Sequence, residues 1–161
     1  MKEGHYYHAF GGGGNTGKWR GAKGSYYEGG LRVPAIISYP AMLPKGEVRD
    51  QAITAADWFP TILELCEIKP PPVILDGHSV VPLIHKPDSP SRHRTLHWGW
   101  GNGWAVREGN WKLIGNGNSP RFLGNLADEN PERINYLKEK PKLVQQMLEL
   151  HQDWLRDTRS R

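Results

Sequence analysis

Only one run in the first half of this 161-residue chain, Val-Pro-Ala-Ile-Ile-Ser-Tyr-Pro at 33–40, is apolar enough to read as a buried strand. A buried strand has two edges to satisfy, and the residues before it offer only His-Tyr-Tyr-His-Ala-Phe (5–10) as pairing material. The first half therefore reads as an incomplete sheet. Residues 1–30 are Gly-rich, and the glycines at 11–14 and the Gly29-Gly30 pair favour loop backbone of positive φ.

Downstream, Asp57 is the expected N-cap of a helix with Phe59, Ile62, Leu63 and Cys66 on one face and Pro60 tolerated in its first turn. Pro70-Pro71-Pro72 ends that unit. Residues 75–84 read as a loop with a short helical turn, and 86–94 as a polar linker, which places a boundary near residue 90. Beyond it, Thr-Leu-His-Trp-Gly-Trp, Gly-Trp-Ala-Val-Arg-Glu and Trp-Lys-Leu-Ile-Gly read as short strands, with Gly109-Asn110 suiting a type II′ hairpin turn. Residues 120–135 contain a polar turn in which Asn130-Pro131 can start a helical turn. From Pro141, the residues Leu143, Val144, Met147, Leu148, His151, Trp154 and Leu155 line one face of a helix. The organisation predicted is βα material over 1–90, then an antiparallel sheet with a packed C-terminal helix over 91–161.

A hydrophobic share of 37%, with 19 Gly and 13 Pro, suits a loop-rich chain with a modest core. The net charge of +4 is scattered except around Lys18, Arg20, Lys23 and the last residues, so it predicts weak anion attraction and not the dense stripe of a nucleic-acid binder. One cysteine, Cys66, rules out an internal disulfide. No signal peptide opens the chain, and no apolar run approaches membrane-spanning length.

The strongest local chemistry lies in Gly-Gly-Gly-Gly-Asn-Thr-Gly-Lys-Trp-Arg-Gly-Ala-Lys-Gly (11–24), where glycines let backbone N–H groups approach an anion beside three cations. Gly12 to Lys18 nearly matches a nucleotide-binding P-loop, but Trp19 stands where a Ser or Thr hydroxyl must hold Mg²⁺. His93 and His97 are four apart in a linker entering a strand, a poor basis for a zinc site. His151 reads as packed on its helix, and His5 and His8 as part of an irregular terminus.

Residues 20–40, Arg-Gly-Ala-Lys-Gly-Ser-Tyr-Tyr-Glu-Gly-Gly-Leu-Arg-Val-Pro-Ala-Ile-Ile-Ser-Tyr-Pro, resemble the sulfatase (arylsulfatase-like) family, within the alkaline phosphatase superfamily. The resemblance continues through Asp57-Trp-Phe-Pro-Thr, Leu75-Asp-Gly-His-Ser, Ala105-Val-Arg-Glu-Gly-Asn-Trp-Lys-Leu-Ile and residues 123–148, in order over roughly 11–155. It departs at Ile68, where glycine is common, and Asn130-Pro131 is slightly displaced. The resemblance implies the C-terminal part of an alkaline-phosphatase-like α/β sheet plus a small antiparallel sheet subdomain with a C-terminal helix. It implies that Lys23 binds a non-bridging oxygen of a substrate sulfate. Glu28 and Arg32 are implied as a structural pair bonding the loop. It further implies that His97, Trp98 and Trp104 line a sugar or aryl subsite.

The family's Cys/Ser-x-Pro-x-Arg motif, source of the formylglycine nucleophile, is missing, because Cys66 is followed by Pro70 and no arginine. No Asp-Asn pair precedes Lys23 to hold the family's Ca²⁺. The expectation is a truncated C-terminal fragment of a sulfuric ester hydrolase with no cofactor of its own and no turnover alone. Its parent would act on a sulfated small molecule or glycan, with phosphate esters remaining an alternative. Expected partners are a missing N-terminal half or a second copy, and not nucleic acid or membrane. The alternative is a non-catalytic, self-associating domain. Sulfatases of this kind are exported, periplasmic or lysosomal, and the chain itself specifies no compartment.

Overall fold

The computed structural model describes residues 15–160, except for the Arg159 side chain. The readings made for His5, His8 and the glycines at 11–14 lie outside the described residues. By contact, the described chain forms two compact units. One comprises the residues up to Pro34 together with Thr95 onward, and the other is Ala35–Arg94.

The first unit is built on a four-stranded antiparallel meander, β1 (Thr95–Trp100), β2 (Gly103–Glu108), β3 (Trp111–Asn116) and β4 (Ser119–Asn125), in the order β1-β2-β3-β4. Each strand pair closes through a two-residue Gly-Asn turn: Gly101-Asn102, Gly109-Asn110 and Gly117-Asn118. In all three the glycine holds a positive φ, of 57°, 57° and 53°, and the asparagine does not, the pattern that suits type II′ hairpins. β4 lies in what reads from sequence as the approach to a polar turn, so the sheet gains a strand over that reading.

Both faces of the sheet are covered. A helix, α4 (Pro141–Ser160), packs Met147 against Trp104, Val106, Leu113 and Leu123, with Leu143, Val144 and Leu148 beside them. The face expected from the spacing is the one buried. On the opposite face, Ala105, Ile114 and Phe122 pack under Tyr26, Tyr27 and Trp98. The segment that precedes the sheet by seventy residues thus serves as its second layer, ending in a single helical turn, α1 (Glu28–Leu31). Each fully buried Leu, Val or Met side chain contributes about 1.5–3 kcal/mol of hydrophobic stabilisation.

The second unit is helical. A 3-10 turn (Ala55–Asp57) leads into α2 (Trp58–Leu65), and α3 (Val81–His85) follows a loop. Its core is Leu43, Leu65 and Val81, with Ile37 and Ile84 against them. Three expectations need correction here. The run at 33–40 is not a strand: it lacks a ladder partner among the described residues, and Val33 and Ile36 are 78% and 91% exposed. A strand exists only through its cross-chain hydrogen bonds, whatever its apolar content. The α2 face is also shifted, since Phe59, Ile62 and Cys66 are exposed while Thr61 and Leu65 are buried.

Asp57 does not cap α2 with its side chain. Its buried carboxylate accepts the Thr54 N–H (2.7 Å), the His78 N–H (2.7 Å) and His93 Nε2 (2.8 Å), joining the Asp-Trp-Phe-Pro-Thr and Asp-Gly-His-Ser segments. Gly77 permits this approach, because a Cβ there would lie 2.0 Å from the Ala56 carbonyl oxygen. α2 ends in a Schellman arrangement, with Ile68 N–H bonded to the Leu63 carbonyl and Glu67 N–H to that of Glu64. The left-handed residue is Glu67 (φ 56°), one position before the Ile68 that replaces glycine in the resemblance.

Candidate functional site

Lys23 occupies the first corner of a turn closed by Ser25 N–H on the Ala22 carbonyl (3.0 Å), with Gly24 at φ 89° in the second corner. That is the type II geometry, which demands a positive φ at its second corner and so selects glycine. The Lys23 side chain is exposed.

Behind this turn lies the Glu-Gly-Gly helix α1. A Cβ on Gly29 would fall 2.5 Å from the Gly21 carbonyl oxygen, and one on Gly30 would fall 2.3 Å from that of Ser25. Contrary to expectation, neither glycine adopts a positive φ. What they supply is close backbone approach: the missing side chains let the helix lie directly on the Lys23 turn, and Gly29 N–H bonds the Arg20 carbonyl at 2.8 Å.

Glu28, 2% exposed, anchors that helix to the sheet. One oxygen meets the fully buried ammonium of Lys112 on β3 at 2.8 Å, and the other meets Arg107 of β2 at 3.3 Å. Arg32, the partner expected from sequence, reaches only 4.0 Å and is half exposed. A second carboxylate completes the group, because Glu132 accepts the Glu28 backbone N–H (2.8 Å) through Oε2 and lies 3.4 Å from Lys112 through Oε1. Burial pushes the Glu132 carboxyl above the usual carboxylate range, against the opposing pull of Lys112 and the Glu28 amide. The Arg20 guanidinium stacks 4.0 Å above the Tyr27 ring and donates to the Glu132 carbonyl at 3.0 Å.

Three aromatic residues were expected at one subsite, and the sheet separates them. His97 and Trp104 stand on the α4 face, where Trp104 is 5% exposed, stacks on His151 at 4.1 Å and donates its indole N–H to the Gly117 carbonyl. Trp98 points to the opposite face, its ring 5.4 Å from the Lys112 ammonium. Trp100, two residues on and at the tip of the β1–β2 hairpin, is 83% exposed. The Tyr26 hydroxyl fixes that tip through a shared hydrogen bond to the Trp100 (3.1 Å) and Gly103 (2.7 Å) carbonyls.

Lys112, Arg107, Glu132 and Trp100 were not singled out from the sequence. Strand alternation was the available signal for Lys112: it shares a face with Ile114 in an apolar strand, and a lysine there requires a buried counter-charge. Among the described residues no three His, Cys, Asp or Glu side chains converge on a point where a metal ion could bind, and no helix is long and apolar enough to cross a membrane.

Comparison with known proteins gives a consistent picture. Residues 18–159 match the family model described as N-sulphoglucosamine sulphohydrolase, C-terminal. Human arylsulfatase D is 40% identical over 87 residues, covering 52% of this chain and 14% of that protein. A Bacteroides thetaiotaomicron structure from work on the metabolism of multiple glycosaminoglycans superposes with a TM-score of 0.71 at 26% identity, covering 89% of this chain and 32% of the other. Ps i-CgsB in complex with k-i-k-neocarrahexaose gives a TM-score of 0.67 at 25% identity, with coverages of 84% and 31%. The chain therefore spans less than a third of the length of each.

Proposed function

Since the chain belongs to the N-sulphoglucosamine sulphohydrolase C-terminal family, we propose that it is the C-terminal portion of a sulfatase acting on sulfate esters of glycans, with Lys23 as its sulfate-contacting group. Its four-stranded sheet and C-terminal helix are the C-terminal part of the alkaline-phosphatase-like α/β fold of its solved neighbours. The observation that carries the proposal is the placement of Lys23: an exposed residue on a type II turn whose backbone is backed by α1 and tied through Glu28 to a buried ion cluster. A compact cation held on a rigid turn stabilises negative charge on a non-bridging oxygen of a sulfuryl group as the ester bond breaks.

In a whole sulfatase, formylglycine supplies the nucleophile and Ca²⁺ supplies charge stabilisation. The described residues of this chain do not fit either group, for no carboxylate cluster forms a cation site and Cys66 lies exposed at the end of α2 with no following arginine. Lys23 is accordingly assigned a binding role, and the chain alone is assigned no turnover. Trp98 shares the sheet face of the Lys23 segment, and Trp100 on that same face is the exposed aromatic suited to stacking on a sugar ring. Glycan sulfates are the favoured substrate class because two of the solved neighbours come from glycosaminoglycan metabolism and from a neocarrahexaose complex.

Calorimetric titration of the chain with sodium sulfate tests the assignment. Saturable binding is expected, and it should be lost in Lys23→Ala. Equal binding by the variant would sink the role of Lys23.

One observation favours a further reading, that the chain pairs with another segment. Val33 and Ile36 are exposed in an apolar run that has no ladder partner among the described residues, a template for strand pairing with an N-terminal half or a second copy. A concentration-independent monomer by sedimentation velocity would remove the second copy, leaving the N-terminal half as the partner.

A further inference from the structure

We propose that Glu132 and Lys112 are positioning residues for Lys23: they staple both ends of its loop to the sheet, so that the small subdomain is a working part of the sulfate site. The inference rests on the role given to Lys23 above.

The loop that carries Lys23 runs from Arg20 to Glu28, and Glu132 holds both ends. Its main-chain carbonyl accepts from the Arg20 guanidinium at 3.0 Å, and its carboxylate accepts the Glu28 N–H at 2.8 Å. Lys112, 0% exposed, locks the same carboxylate at 3.4 Å and Glu28 at 2.8 Å. From Glu28 the constraint passes along α1, whose glycines lie on the backbone carbonyls of Gly21 and Ser25 and leave the turn no room to shift. Each link is a hydrogen bond, an ion pair or a backbone contact, and the chain of links ends at the residue that bears the ammonium.

Glu132 is poorly placed on stability grounds alone. It sits at φ 59°, a conformation that disfavours any side chain. It is 0% exposed, and its Oε1 has no hydrogen-bond partner. Glycine at that position would relieve the backbone and remove a buried carboxylate. A side chain retained at such cost is explained by the staple it forms. The charged groups facing this carboxylate are Lys112 from β3 and Glu28 from α1, with Arg107 of β2 and Arg32 meeting Glu28 from its other side.

Sulfate affinity of the full chain, measured beside its melting temperature, decides the matter. Glu132→Gln is isosteric and removes only the charge, and its sulfate affinity is expected to fall roughly tenfold at neutral pH. Wild-type affinity should decline towards the level of Glu132→Gln as Glu132 takes up a proton in acid, while the variant's own profile stays flat. Lys112→Met should show the same weakening. A purely structural role would lower the melting temperature and leave the affinity of folded protein unchanged. Wild-type affinity in folded Glu132→Gln, with binding lost in Lys23→Ala, would overturn the positioning role and spare the reading of Lys23. Should Glu132→Gln not fold, wild-type sulfate affinity in folded Glu132→Gly, which relieves the positive φ and removes the carboxylate, would overturn it instead. Equal titrations by wild type and Lys23→Ala would remove both.

Discussion

The imidazole of His97 and the indole of Trp154 lie parallel, with ring centroids 5.0 Å apart, at the contact between β1 and α4. His151 stacks beyond them, 6.4 Å from His97, and the buried Nδ1 atoms of both histidines have no hydrogen-bond partner. Burial, aided by the charge of His151, holds His97 at a pKa of about 4, and burial lowers His151 as well. Protons therefore bind these rings more tightly in the unfolded chain. Their contribution is complete above the unfolded value near 6.5 and is lost as pH falls towards 4. After allowance for its partial exposure, His97 should cost the fold about 1–2 kcal/mol across that window. Urea unfolding at stepped pH should show this loss, and His97→Phe should remove most of it. An unchanged slope in that variant would place the acid sensitivity elsewhere.

Gly115 and Trp104 support a second prediction. A Cβ on Gly115 would stand 2.0 Å from Cζ2 of the indole, so the cross-strand glycine is the space that the tryptophan fills. The indole cannot retreat easily, being sandwiched by His151 and bonded to the Gly117 carbonyl. Gly115→Ala should therefore destabilise by about 1–3 kcal/mol through overpacking. Denaturant titration followed by tryptophan fluorescence would measure it, and a stability within error of wild type would show that the stack can shift freely.

In the helical unit, Asp57 bears the heaviest polar load. Its backbone and His93 hydrogen bonds hold the carboxyl below its ordinary range although burial works against them. Asp57→Ala leaves the part-buried Thr54 and His78 amides and the His93 imidazole without their acceptor, at a cost of about 1–3 kcal/mol. Hydrogen exchange should report the loss at the Thr54 and His78 amides. Protection unchanged at those amides would mean that the loop holds itself.

The elements that could be read from sequence are those whose signals are local. The C-terminal helix follows from spacing, since Met147 and His151 must face the same way as Leu143 and Trp154. β4 was missed although a local signal for it was present, for Gly-Asn recurs at 101, 109 and 117, and a third turn of the same kind requires a fourth strand. What could not be read is non-local. Val33 to Tyr39 has the composition of a strand, but strand formation is decided by a partner segment that local sequence does not contain. The Glu28 cluster joins residues up to 104 positions apart, and no spacing rule points from Glu28 to Glu132. The three aromatics placed together on sequence fall on two faces because one residue of offset along β1 reverses direction, which puts Trp98 opposite His97.

That reversal leads to the last prediction. Trp100 lies in register with Gly103, whose missing side chain admits the Tyr26 ring, so the hairpin tip is braced by the same segment that carries Lys23. The indole itself is 83% exposed, and removing it should change stability by no more than about 0.5 kcal/mol. Stacking on a sugar ring would instead contribute roughly 1–1.5 kcal/mol, or about a tenfold difference in affinity. Trp100→Ala should therefore bind inorganic sulfate as wild type does, while losing about tenfold towards a sulfated oligosaccharide. Fluorescence titration with a sulfated tetrasaccharide would measure it, using Trp98→Ala as the comparison on the same face. Equal oligosaccharide affinity for Trp100→Ala and wild type would leave the exposed indole without a sugar to meet, and the glycan reading would then depend on Trp98.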